Sequence, residues 1–464
     1  MFIGTDGDGK MGGNIKTMTE GKPLKLIFSF ALPLMIGNVF QQLYTVVDTM
    51  VVGQVLGVNA LAALGASDWL NWMMLSVIQG FAQGFSILMA QEFGAGHERR
   101  LRKVVGNAIG LSAVCAAVLL VFGEVIIYPV LELLQTPDAI IGQSALYLRI
   151  MFAGIPVVMA YNLLASILRA LGDGKAPLHA MIVAAVINIV LDLLFVIGFR
   201  WGIAGAAAAT VIAQFSSSIY CYMHIRKIKV LSLAREDFLW EKDLDWKLIV
   251  LGLPMAFQNA IISVGGMIVQ TVVNGFGVIF IAGFTATNKL YGVLEVAATS
   301  YGYAMITYAG QNLGAGKIDR IKKGMKSALF TAIITAAMIA ACMLSFGREI
   351  LRCFISGTPE EVEMTMTIAY HYLAVMSICL PILYILHVVR SALQGMGDTL
   401  LPMVSGIVEF IMRTGTAVLL PIAIGEEGIF YAEILAWMGA DVILVSSYWV
   451  RMKKLEYRNG GNEN

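Results

Sequence analysis

Twelve times along the chain, an apolar run long enough to cross a lipid bilayer is closed by a short polar break. A helix needs about 20 apolar residues to span the hydrocarbon core. Runs of that kind fall at roughly 24–52, 58–90, 104–128, 143–168, 176–199, 202–225, 247–275, 278–307, 324–347, 364–389, 399–424 and 428–450. No strand-like alternation competes with them, so the chain is expected to be an all-α integral membrane protein. Composition agrees: 14% of residues are charged, against about 25% in soluble domains.

The basic residues set the orientation. With the N-terminus placed in the cytoplasm, the inner segments collect 26 of the 32 Lys and Arg, with Arg390 counted among them, and the outer loops collect only Arg200, Arg348 and Arg352. Arg149, Lys289 and Arg413 fall within spans. The asymmetry predicts that both termini are cytoplasmic, and the expected location is the plasma membrane.

The chain also repeats itself. Leu32-Pro33 matches Leu253-Pro254, and the Gln91–Gly96 turn matches Gln311–Gly316. Tyr147, Pro156, Gly172, Asp173 and Pro177 recur as Tyr372, Pro381, Gly397, Asp398 and Pro402. The expected organisation is an N-terminal tail over 1–20 (disordered, cytoplasmic), a six-span lobe over 21–227, a charged cytoplasmic linker over 228–246 that acts as a tether, a second six-span lobe over 247–453, and a cytoplasmic tail over 454–464. Six spans is an even number. The lobes are therefore parallel repeats about an axis along the membrane normal, an arrangement that places transport sites in or between the halves. The five cysteines form no CxxC pair or His/Cys cluster and are expected to be small apolar span residues.

Against this apolar background, Asp48 in the first span stands out. An ionisable group inside a membrane is costly and suggests function. Asn188 and Asp192 in the fifth span are spaced i, i+4, on one helix face. Thr210 follows the small-residue run Gly205–Ala209 in the sixth span, which permits close helix approach. At a rise of about 1.5 Å per residue, Asp48, Asp192, Thr210 and Tyr147 share one layer roughly 7–12 Å below the outer surface. Such oxygen ligands suit a proton relay or a small cation such as Na+. Two carboxyls close together in a low dielectric cannot both ionise cheaply, so the pair is expected to accept a proton.

With these motifs in place, the chain resembles the multidrug and toxic compound extrusion (MATE) family over nearly its whole length. The resemblance implies twelve transmembrane helices in two pseudo-symmetric lobes that form an outward-facing V, with export driven by H+ or Na+ influx. It implies a cation site at Asp48, Asn188, Asp192 and Thr210, with Tyr147 beside it. The chain departs from members that carry an acidic pair in spans 7 and 10, since those spans have none here and the position near Val269 that corresponds to Asp48 is apolar. Coupling is therefore expected in the first lobe only.

Other residues remain as candidates. Asp68, Glu295, Lys289 and Gln41 are candidates for a substrate cleft. Asp68 and Lys289 either gate across the lobes or hydrogen-bond locally, and Glu295 either recognises a cationic substrate or pairs with Lys289 or Arg413. Glu409 and Arg413 are spaced to pair within one helix. Pro33 is a candidate hinge about 15 residues before Asp48.

The chain is thus expected to be a cation-coupled (H+ or Na+) antiporter exporting amphipathic, cationic organic compounds by alternating access. It is expected to work as a monomer among membrane lipids, without a cofactor, a nucleic-acid partner, or a metal other than Na+. A flippase for a lipid-linked oligosaccharide is the alternative. It would need a cationic cavity, whereas the spans hold Asp48, Asp68, Asp192, Glu295, Glu409, Glu433 and Asp441 against three bases. An intramembrane enzyme fits poorly, because there is no HExxH and no catalytic Ser/His/Asp set.

Overall fold

The computed structural model describes residues 15–355 and 357–460. Among them the regular structure is helical, with no strand elements. The α-helices are α1 (Pro23–Val51), α2 (Val58–Gly94), α3 (Glu98–Leu133), α4 (Asp138–Ala153), α5 (Ile155–Ala170), α6 (Lys175–Asp192) and α7 (Ile203–Ile225). They continue as α8 (Lys242–Val273), α9 (Val278–Gly314), α10 (Ile318–Arg352), α11 (Pro359–Ile378), α12 (Leu380–Gly395), α13 (Leu400–Ile424) and α14 (Ala432–Gly460).

Nine of the helical rods in the described residues are long and apolar enough to cross a membrane, and the bent pairs α4–α5 and α11–α12 raise that to eleven. The remaining expected span falls on α9, which is 37 residues long, as is α2. It carries Lys289 and Glu295 and stands outside that apolar set. Large apolar side chains lie open along α3, among them Val114, Val118, Val121 and Val125. A run of such residues along one helix is what a lipid-facing surface requires.

The two bent pairs show how the repeat is built. Each pair bends by 47°, at Gly154 in one and at Cys379 in the other. Pro156 and Pro381 sit in the first turn of the second helix of each pair. A proline there loses no hydrogen bond, because the first N–H groups of a helix have no intrahelical acceptor. The helix after each bend then ends in a glycine turn. Gly172 and Gly397 both have φ +82°, the left-handed conformation that favours glycine. The next residue caps the following helix: Asp173 Oδ1 accepts the backbone N–H groups of Lys175 and Ala176, and Asp398 Oδ1 accepts that of Leu401.

The chain divides into two compact units. The first comprises residues 32–260, 313–316 and the described part of the first twenty; the second comprises 21–31, 261–312 and everything from Lys317 onward. Two of the boundaries between these units fall inside α1 and α8.

Three segments outside the spans make contacts of their own. Residues 1–14 of the predicted tail lie outside the described residues, but Ile15 and Met18 are buried. A Cβ at Gly172 would come within 2.1 Å of the Lys16 carbonyl oxygen, so residues 15–20 are not disordered. The 228–246 linker packs on α3. Asn107 Nδ2 donates to the Leu239 carbonyl at 3.2 Å, the Glu241 N–H donates to Asn107 Oδ1 at 3.2 Å, and Lys103 Nζ donates to Glu241 Oε2 at 2.9 Å. That last bond and the Lys103 charge hold the exposed Glu241 carboxyl below its ordinary range. At the other end of the chain, α14 runs on through the predicted tail to Gly460, with Glu456 paired to Lys322.

Candidate functional site

In the first unit, two acids sit within about one turn before breaks in helical winding. α1 continues through Pro33 to Val51, and a π-helical turn follows over Val52–Leu56, four residues past Asp48. α6 ends at Asp192, and a second π turn runs over Leu193–Gly198. The two π turns pack against each other. A π turn carries extra backbone per turn and re-aims the residues around it, and such turns recur at functional sites.

α7 closes the site. Ala206, Ala207 and Ala209 are fully buried, and a Cβ on Gly205 would come within 3.1 Å of Phe195 Cβ. This close approach of α7 to the end of α6 lets Asn188 Nδ2 donate to Thr210 Oγ1 at 3.3 Å. Asn188 and Asp192 are 0% exposed, Tyr147 is 5% and Asp48 is 7%.

Several acceptors in the site lack a donor. Asp48 Oδ1, Asn188 Oδ1, both carboxylate oxygens of Asp192 and Gln214 Oε1 are buried and accept no hydrogen bond. Asp48 is close enough to Asp192 and to Asp68 for their charges to interact, and the Tyr147 and Tyr44 phenols lie in the field of Asp48 and Asp192. A buried oxygen without a donor is costly. A small hard cation can satisfy a set of them drawn from α1, α6 and α7 together, and a proton can bridge two of them. Among the described residues no group of three or more His, Cys, Asp and Glu side chains could hold a metal ion.

The structure brings Asp48, Asn188, Asp192, Thr210 and Tyr147 together, and it adds three residues to them. Tyr44 and Gln214 were not singled out from the sequence. Asp68, considered above with Lys289, lies in the field of Asp48. The signal for Tyr44 was its place one turn before Asp48 on the same helix. Gln41, one further turn back, is half-buried, and its carbonyl accepts the Thr45 hydroxyl.

In the second unit the candidates sort differently. Lys289 is exposed on α9. Glu295 lies 3.5 Å from His387 Nε2, not beside Lys289. Glu409 Oε1 accepts from Arg413 one turn on, as the spacing suggested, at 2.8 Å. Its other oxygen accepts from Arg390 Nη2 at 2.6 Å. Arg390 is thus no inner-loop charge: α12 carries it into the protein, where it is 8% exposed.

The MatE family model matches residues 33–194 and 254–419. The chain is similar to the probable multidrug resistance protein YoeA of Bacillus subtilis (strain 168), with 31% identity over 75% of each chain. It is also similar to the probable multidrug resistance protein YpnP of the same organism, with 30% identity over 89% of this chain and 91% of that one. Among solved structures, the outward-facing conformation of a multidrug resistance MATE family transporter superposes with a TM-score of 0.88 at 20% identity, covering 95% of this chain and 98% of the other.

Proposed function

The chain belongs to the MATE family of multi-span membrane transporters, and from that premise we propose that it is a cation-coupled antiporter that exports amphipathic, cationic organic compounds across the plasma membrane. The observation that carries this reading is the set of buried oxygens without donors on Asp48, Asn188, Asp192 and Gln214. Such a set gains most from binding a positive charge. Thr210 and Tyr147 complete the coupling site. Asp48 and Asp192 take up H+ or Na+, and Pro33 lets α1 change its packing when the charge on Asp48 changes. An ion can shift the protein between two states only by binding one of them better. The acids must therefore differ in ion affinity between the inward-open and outward-open states.

The distribution of Lys and Arg supports cytoplasmic termini, and on this reading the chain works as a monomer. Gln41, Asp68, Glu295 and Lys289 are proposed to contact substrate. The similarity to two probable multidrug resistance proteins supports a small organic cargo. The flippase alternative is not favoured: Glu409 bonds both Arg390 and Arg413, so those arginines do not form a free cationic surface.

The test is efflux of a cationic dye from vesicles containing the protein, under an imposed pH gradient in one arm and an imposed Na+ gradient in the other. Acceleration in one arm identifies the ion. Acceleration in neither refutes antiport.

A further inference from the structure

The second unit holds five ionisable side chains in an alternating row: Glu433, Arg413, Glu409, Arg390, Asp441. Glu433 Oε2 lies 2.7 Å from Arg413 Nη2. Arg413 Nη2 donates to Glu409 Oε1 at 2.8 Å, and Arg390 Nη2 donates to Glu409 Oε2 at 2.6 Å. Asp441 is close enough to Arg390 and Glu409 for their charges to interact. Among the described residues, however, no base lies within salt-bridge distance of it. Its Oδ1 is buried without a hydrogen-bond partner. Glu409, Arg390 and Arg413 are each more than nine-tenths buried, and the Nε groups of both arginines also lack partners.

Three acids alternate with two bases, so one acid is always left over. In the observed pairing the odd acid is Asp441. If Arg413 pairs with Glu409 alone and Arg390 turns to Asp441, the odd acid is Glu433 at the other end. Arg413 already touches the acids on both sides of it, and Asp441 already lies in the field of Arg390. An uncompensated carboxylate is strongly disfavoured in such surroundings. We propose that this row is a second proton-binding site, which holds one proton on whichever terminal acid, Asp441 or Glu433, has no arginine.

The surrounding groups do not remove the demand for that proton. From α9, Tyr291 and Glu295 lie in the field of Arg413 and Glu433, and from α11 so does Tyr372. The phenols are neutral near pH 7. Glu295 pairs with His387 of α12, and that pair adds either no net charge or one more negative charge. From α8 only a backbone group enters, the Ile262 carbonyl, which accepts from Arg413 Nη1 at 3.2 Å.

The terminal acids are eight residues apart on α14, about 12 Å along its axis. A one-step change of pairing therefore moves the place of the proton by that distance. On the orientation proposed above, Glu433 is the outer end of the row and Asp441 the inner end.

The test is infrared difference spectroscopy of the full chain in lipid, without substrate or gradient, following the protonated-carboxyl band through a pH titration. Asp441→Asn is expected to remove one carboxyl component that Asp48→Asn leaves in place. Glu433→Gln is expected to remove the same component from a distance, because two acids then face two bases. Asp441→Glu should keep the component and shift its frequency. Both neutral variants balance the row, which favours folding. An unchanged band in Asp441→Asn, or an Asp441 component that survives in Glu433→Gln, would overturn the proposal. Neither result bears on coupling at Asp48.

Discussion

Asn188 Nδ2 donates to the Thr210 hydroxyl oxygen at 3.3 Å, tying α6 to α7 one turn before Asp192. The bond fixes which way the amide points. Its nitrogen is spent on Thr210, and its oxygen joins Asp192 on the same helix face as an acceptor without a donor. Thr210→Val removes the acceptor and leaves a buried amide N–H unpaired, at a cost of about 1–3 kcal/mol. The expected outcome is a lower thermal midpoint and efflux slowed several-fold, with both restored by Thr210→Ser. Equal behaviour of the Val and Ser variants would show that the hydroxyl does not matter.

Asp192→Asn tests the second acid. Both of its carboxylate oxygens are buried without donors, so the neutral amide removes the group that most needs a positive charge. Gradient-driven efflux should fall at least tenfold while the protein stays folded, because the change relieves a buried charge instead of creating one. A variant that still couples efflux to the gradient would place coupling elsewhere.

Pro33 is half-buried within α1. Pro33→Ala restores a helical N–H and stiffens the segment. The expected result is slowed transport with unchanged or raised thermal stability, and smaller ion-dependent changes at spin labels on the two ends of α1. Full transport together with full-size label movement would exclude the hinge.

Gly106 on α3 faces the linker. A Cβ there would come within 2.0 Å of the Asp237 carbonyl oxygen, so Gly106→Ala must push the linker away. Protease cleavage within 228–246 should speed up, and overpacking of this kind costs about 1–3 kcal/mol. An unchanged cleavage rate would mean that the linker is held elsewhere.

The Lys103–Glu241 bridge adds a pH dependence to that docking. The folded state lowers the Glu241 pKa, so the bridge stabilises docking above the ordinary carboxylate range. That contribution disappears as pH falls through the lowered folded value. The pair is solvent-exposed, so it contributes about 0.2–1 kcal/mol and weakens in salt. Linker protection measured by hydrogen exchange should drop in acid for the wild type. It should already be low, and flatter with pH, in Lys103→Ala.

Much of this architecture was legible in the sequence because a bilayer imposes the length and apolar character of a span directly. Pro156 with Pro381 and Gly172 with Gly397 were readable as matched pairs of the repeat. The shared helix face of Asn188 and Asp192, and the pairing of Glu409 with Arg413, followed from helical spacing. What lay beyond the sequence depended on changes in winding and on packing between distant helices. The π turns after Asp48 and Asp192 have no residue signature. Tyr44 and Gln214 are ordinary polar residues until α1 and α7 meet. Counting Lys and Arg by segment took Arg390 for a loop charge, whereas α12 buries it against Glu409. Ile15 and Met18 are two apolar residues in a polar stretch, too few to reveal that the segment packs.

On the reading proposed above, Asp48 couples ion entry to export. The most direct test is dye efflux from proteoliposomes containing wild type or Asp48→Asn, driven by the pH or Na+ gradient that accelerates the wild type, with gradient-free dye exchange measured in parallel. Asp48→Asn should keep gradient-free exchange but lose acceleration by the gradient. Undiminished gradient-driven efflux in Asp48→Asn would contradict it.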